Sequence, residues 1–112
     1  MDIGSFPDVF DITAAVVNTI AHQKGWWDVP REDGTAVALM HSELSEALDY
    51  MRNGNPPSDH IPEYSGVEEE LADVIIRIMD YAAEKGYDVG RALLAKIEYN
   101  AQREYRHGGK IF

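Results

Sequence analysis

The sequence contains no cysteine, which excludes a disulfide framework and any thiolate-based metal site. It has no uninterrupted apolar run near the roughly 20 residues needed to span a bilayer. The opening Met1-Asp2-Ile3-Gly4 lacks a basic segment followed by an apolar stretch, so no secretory signal is expected. Basic residues are scarce, with 10 Lys and Arg against 20 Asp and Glu and a formal charge of −10. A surface that acidic repels nucleic-acid polymers. Also missing are a glycine-rich phosphate loop, a nucleophile elbow, a zinc motif and a calcium-binding loop. The expectation is a cytoplasmic protein whose partners are neither a membrane nor a nucleic-acid polymer. Small phosphorylated molecules stay open, because carboxylates that gather around a divalent cation reverse the local field.

What is present is enough apolar material for a core, 45% of 112 residues, in a chain suited to one domain over residues 1–112. A domain of this size buries a modest share of its surface, so an oligomer is expected to supply the rest. Punctuation divides the chain into four helical stretches. The first spans about Asp11 to Lys24, with Gly25 placed to end it. The second spans about Asp33 to Arg52 and stops at Asn53-Gly54-Asn55-Pro56-Pro57. Ser65 opens the third, with Glu68 three residues on as the other half of a capping box, and it ends at Lys85-Gly86. Asp88 caps a fourth that reaches about Arg106. Apolar residues recur at threes and fours: Val37, Met40, Leu44, Leu48, Met51, then Leu71, Val74, Ile75, Ile78, Met79, Ala82, then Leu93, Leu94, Ile97, Ala101. These rows are expected to form the core. No stretch alternates as a strand does. An all-α, four-helix bundle-like fold follows, with residues 53–64 as its long irregular connection.

Two acidic pairs stand out at i, i+3 spacing: Glu43 with Glu46 in the second helix and Glu70 with Asp73 in the third. Residues three apart share a helix face, and both pairs sit among core-type neighbours. If the helices pack together, four carboxylates converge at the edge of the core, which is unfavourable without a cation. Mg²⁺ suits such a site, since it takes hard oxygen ligands and keeps water and phosphate in its shell. Such pairs also occur on solvated helix faces, and Asp49 and Asp80 continue the same rows. Glu68 and Glu69 read as first-turn acids that favour the helix dipole.

With these pairs and their surroundings, His41-Ser42-Glu43-Leu44-Ser45-Glu46-Ala47-Leu48 and Glu69-Glu70-Leu71-Ala72-Asp73-Val74-Ile75-Ile76-Arg77, the chain resembles the MazG-like all-α NTP pyrophosphohydrolase superfamily. The segment from Lys96 to Arg103, followed by Tyr105-Arg106-His107-Gly108-Gly109-Lys110, is similar to its small, single-domain branch, although Glu104 stands where proline is often found. The resemblance covers about residues 35 to 110. It implies Mg²⁺-dependent hydrolysis of a nucleoside triphosphate to the monophosphate and pyrophosphate, with Mn²⁺ as a substitute ion, in the removal of surplus or non-standard nucleotides. It also implies a homodimer or homotetramer (a dimer of dimers) whose sites are completed between subunits. Glu43, Glu46, Glu70 and Asp73 become the metal ligands, and Glu46 is the chosen acceptor of the attacking water's proton.

Lys96, Asn100 and Arg103, at +4 and +3, share a face suited to phosphate; basic residues also simply suit a helix C-terminus. Arg106 and Lys110, beside Gly108-Gly109, are candidates to close over the triphosphate. Trp26 and Trp27 are candidates to stack on the base, against ordinary packing as the alternative. His41 is left outside the metal set, and His22, His60 and His107 form no ligand spacing. Competing readings are a non-catalytic helical oligomerisation or regulatory module, and a related enzyme acting on phosphoribosyl-ATP or dUTP.

Overall fold

A computed structural model describes residues 4–103. Four helices follow in order: α1 (Phe6–Gln23), α2 (Asp33–Arg52), α3 (Gly66–Lys85) and α4 (Val89–Ala101). Among the described residues there is no strand; an isolated antiparallel bridge joins Pro57 to Ser65. No helix is long and apolar enough to cross a membrane. The all-α expectation therefore holds.

Helix ends follow local chemistry. α1 starts five residues before the expected Asp11, because Pro7 lies in its first turn, where a missing N–H costs nothing and the fixed φ suits a helix. Its end is a Schellman closure: Gly25 has φ +79°, its N–H donates to His22 O at 3.1 Å, and the Trp26 N–H donates to Ala21 O at 3.0 Å. Ser65 and Glu68 form the expected capping box at α3, and Gly86 ends that helix in the left-handed region. Asp88 caps α4 by accepting from the Arg91 N–H. α4 stops at Ala101, short of the expected Arg106, as Gln102 and Arg103 tighten to i−3 bonds on Tyr99 and Asn100.

α3 is the central element, packed against both α1 and α2, while α4 packs on α1. α2 and α3 run antiparallel, since Tyr50 meets Gly66 at one end and Asp33 meets Tyr81 and Lys85 at the other. A Cβ on Gly66 would collide with the Tyr50 ring, so glycine lets α3 begin directly against α2. The connection between them is folded rather than loose. Asn55 accepts the Val67 N–H on its side chain at 3.0 Å, Gly66 N–H donates to Pro56 O, and Ser58 N–H donates to Tyr64 O.

The apolar rows are divided in a way that periodicity does not reveal. Ala36, Glu43 and Ala47 form the buried side of α2, and small alanines allow α3 to lie close. Leu44, Leu48 and Met51, expected in the core, are 45–57% exposed, as are Leu71 and Ile75 on α3. Among the described residues, the buried hydrophobic side chains of the core are those of Phe10, Ala14, Ala21, Ala36, Ala47 and Ala82. The chain exposes 8264 Å², where a folded monomer of 12.6 kDa is expected to expose roughly 6,200 Å². Its radius of gyration, 16.5 Å, exceeds the roughly 13 Å typical of 100 residues. Within one chain the four-helix arrangement thus leaves apolar residues of α2 and α3 exposed.

Candidate metal centre

The register of α2 against α3 brings the two acidic pairs together. Glu43 and Glu70 are both 7% exposed, Asp73 is half-buried, and Glu46 is exposed at the rim. One oxygen each of Glu43, Glu46 and Glu70 lie within 4.8 Å of one another, and so do oxygens of Glu69, Glu70 and Asp73. Glu70 belongs to both groups and is the geometric hub. Its Oε2 is buried and has no hydrogen-bond partner, a costly state for a carboxylate oxygen.

Charge crowding has a readable consequence. Burial, then the neighbouring Glu43 and Glu46, push the Glu70 carboxyl up to about 8. Asp73 is raised by burial and by the charges of Glu43 and Glu69. Burial also opposes ionisation of Glu43, but hydrogen bonds involving Glu70, Arg77 and Glu46 outweigh it and lower its pKa. Without a cation, crowding and burial favour the protonated form of Glu70. An all-carboxylate donor set with an orphaned buried oxygen fits a hard divalent cation, which would replace that proton.

Arg77, which sequence spacing alone did not single out as functional, locks the cluster from behind. Its Nε donates to Glu43 Oε1 at 2.9 Å. It stands four residues after Asp73 and seven after Glu70, on their side of the helix, and that spacing is the signal that would have found it. Arg77 also lines a small cavity with Trp26, Trp27, Arg31 and Asp80. There the Trp27 Nε1–H donates to both oxygens of buried Asp80 at 3.1 Å, and Asn18 donates to Asp80 Oδ1 at 2.9 Å. The Arg31 guanidinium lies 5.0 Å from the Trp27 ring centre, and Trp26 is 49% exposed. At about 20 Å³ the cavity has room for a water and not for a base.

A larger hollow of about 420 Å³ opens beside the carboxylates, lined by Glu46, Asp49, Tyr50, Asn53, His60 and Glu70. Glu69 is the expected first-turn acid of α3, and it is also buried, at 9% exposed. It accepts from Ser58 Oγ at 2.5 Å and pairs with His60 Nδ1 at 2.7 Å. Those bonds lower its pKa and tie both of its oxygens to the connection, while Glu43 and Glu46, Glu70 and Asp73 remain the expected candidates to hold a cation. Ser58, His60 and Glu69 were missed because they meet through the folded connection, with no helical spacing to announce them.

Other candidates lie elsewhere. Lys96 and Asn100 are exposed on α4 and Arg103 is exposed just beyond its end; the main packing partner of α4 among the described residues is α1. Lys96 Nζ sits 4.4 Å from the Tyr99 ring centre. Within one chain they are not bonded to the carboxylates. His41 is exposed, and Asp49 makes a solvated pair with Arg52. Arg106 and Lys110 lie outside the described residues. The chain matches no protein-family model, no curated protein and no solved structure.

Proposed function

We propose that this chain is a Mg²⁺-dependent nucleoside triphosphate pyrophosphohydrolase of the MazG-like type, which converts a ribo- or deoxyribonucleoside triphosphate to its monophosphate and pyrophosphate. The observation that carries the reading is Glu70, whose Oε2 is buried and unpartnered and whose carboxylate is shared by two clusters, one with Glu43 and Glu46 and one with Glu69 and Asp73, built by antiparallel helices. An oxygen desolvated in that way, next to an open hollow, suits a site completed by a cation and an anionic substrate. Bound Mg²⁺ would supply charge neutralisation of the triphosphate and Lewis-acid polarisation of its phosphorus.

The chain's own residues do the rest. Glu43, Glu70 and Asp73 hold the ion, with Arg77 fixing Glu43. Glu46, the most exposed of the four, accepts the proton of the attacking water as the anhydride between the α and β phosphates breaks and pyrophosphate leaves. Half-exposed Trp26 meets the base, while Trp27 stays anchored to Asp80. Two copies pair through the bare faces of α2 and α3, as the exposed Leu44, Leu48, Met51, Leu71 and Ile75 and the surplus accessible surface support. Lys96, Asn100 and Arg103 of one copy then serve the phosphates bound by the other. The role is nucleotide-pool house-cleaning.

The test is pyrophosphate release from a panel of nucleoside triphosphates, with Mg²⁺, with Mn²⁺ and with EDTA. Metal-dependent release, lost in Glu46→Gln while nucleotide binding persists, supports the assignment and its base. Orthophosphate as the first product would move the cleaved bond. Silence across the panel, with no Mg²⁺-linked stabilisation of the folded protein, would leave a non-catalytic helical module.

A further inference from the structure

The connection between α2 and α3 carries a second device that the four-carboxylate centre does not use. Ser58 is 2% exposed and fully engaged. Its hydroxyl donates to Glu69 Oε1 at 2.5 Å and accepts the backbone N–H groups of His60 and Ile61, each at 3.1 Å. Glu69 is thereby fixed, and its second oxygen holds His60 Nδ1 at 2.7 Å. An ionised Glu69 can only accept, so Nδ1 carries the hydrogen. The opposite ring nitrogen, Nε2, makes no hydrogen bond among the described residues.

The imidazole side chain is 82% exposed and lines the hollow of about 420 Å³ beside Glu46 and Glu70. It is the one basic side chain among the residues lining that hollow, which otherwise presents the carboxylates of Glu46, Asp49 and Glu70. A histidine needed only to satisfy Glu69 would gain nothing from standing open on its other edge at the mouth of the site. Pairing one ring nitrogen to a carboxylate fixes ring orientation and makes the other nitrogen more basic.

We infer that His60, held by the Ser58–Glu69 relay, is a substrate-binding residue whose Nε2–H donates to a phosphate oxygen of the polyphosphate chain bound at the carboxylate centre. The inference rests on reading that centre as a metal and triphosphate site. The Glu69 hydrogen bond also raises the proton affinity of the imidazole, which favours the doubly protonated ring as donor. Because His60 comes from the connection and not from α2 or α3, it reaches the phosphates from a side that the metal ligands leave open.

The experiment uses inorganic tripolyphosphate as probe, with Mg²⁺, on the full chain, and needs no turnover. Long-range nitrogen–proton NMR of the imidazoles, assigned with His60→Asn, follows Nε2 while calorimetry gives the affinity. Asparagine at this position keeps an N–H toward Glu69 but lacks the distal nitrogen, so an unchanged melting temperature is expected. Binding should weaken about 10- to 100-fold, the value of a hydrogen bond to a charged group, and the wild-type Nε2 signal should shift on saturation. Tight binding with Nε2 unmoved, or unchanged affinity in His60→Asn, overturns the role of His60 and leaves the carboxylate centre standing. Failure of wild-type protein to bind tripolyphosphate with Mg²⁺ overturns both.

Discussion

Replacing Glu70 by glutamine is expected to make the metal-free protein more stable at alkaline pH while removing its response to Mg²⁺. In the folded chain this carboxyl is displaced from 4.5 to about 8 by burial and by Glu43 and Glu46. Between those values the folded state keeps a proton that the unfolded state has released, so stability falls as pH rises through the window. At about 1.36 kcal/mol per tenfold in proton affinity, the full displacement is worth about 5 kcal/mol. Glu43, lowered by the hydrogen bonds it receives, offsets part of this. Glutamine is neutral at every pH and can still donate to Glu43. A gain of about 2–4 kcal/mol at pH 8.5 in EDTA follows, on the order of 10–20 °C in melting temperature for a domain of this size. At pH 4 the two proteins should melt within a few degrees of each other. Mg²⁺ should raise the wild-type transition at pH 8.5 and leave the variant unmoved. Thermal denaturation by circular dichroism at fixed protein concentration measures all of this. A variant that melts lower than wild type in EDTA at pH 8.5, or that keeps the Mg²⁺ increment, would refute the reasoning.

Trp27→Phe removes the indole donor from both oxygens of buried Asp80 and should cost about 1–3 kcal/mol, read by urea denaturation; no loss would mean that water replaces the indole without penalty. Adding Asp80→Asn to that variant should recover part of the loss, since a buried charge disappears with its partner. Leu48→Asp places a charge on the bare face of α2, where Leu48 is 45% exposed. Light scattering should show a smaller assembly than wild type, and an unchanged mass would assign subunit contact to another face. Gly66→Ala, which drives a methyl into the Tyr50 ring, should destabilise by about 1–3 kcal/mol, as followed in the same urea titrations.

Legibility from sequence tracks the range of the interaction. The capping box of Ser65 and Glu68, the Gly25 and Gly86 stops and the Asp88 cap were all readable, because each depends on neighbours within a turn or two. The two carboxylate pairs were readable as faces, and the antiparallel register that joins them is set by a connection whose length was also visible. Periodicity showed that Leu44 and Leu48 share a face with Met51; it carries no information on whether that face meets α3 or a second chain. The small residues Ala36 and Ala47 took the intrachain contact instead. The burial of Glu69 was not readable because its partners, Ser58 and His60, come from an irregular segment where no repeat predicts contact. Asp80 looked like one more acid in a row, and only the turn made by Gly25, which delivers Trp27, explains its burial.

Placing the carboxylates and the tryptophan anchor on one helix turns α3 into a ruler. Glu70 and Asp80 are ten residues apart, which at about 1.5 Å per residue sets them about 15 Å from each other along the axis. One residue inserted or deleted between Asp73 and Arg77 would rotate everything beyond it by about 100°, swinging Arg77 off Glu43 and Asp80 off Trp27 together. The connection has no helical phase to keep, although Asn55, Pro56 and Pro57 are tied to the start of α3. The stretch from Glu69 to Asp80 should therefore keep its length unchanged even where its side chains drift.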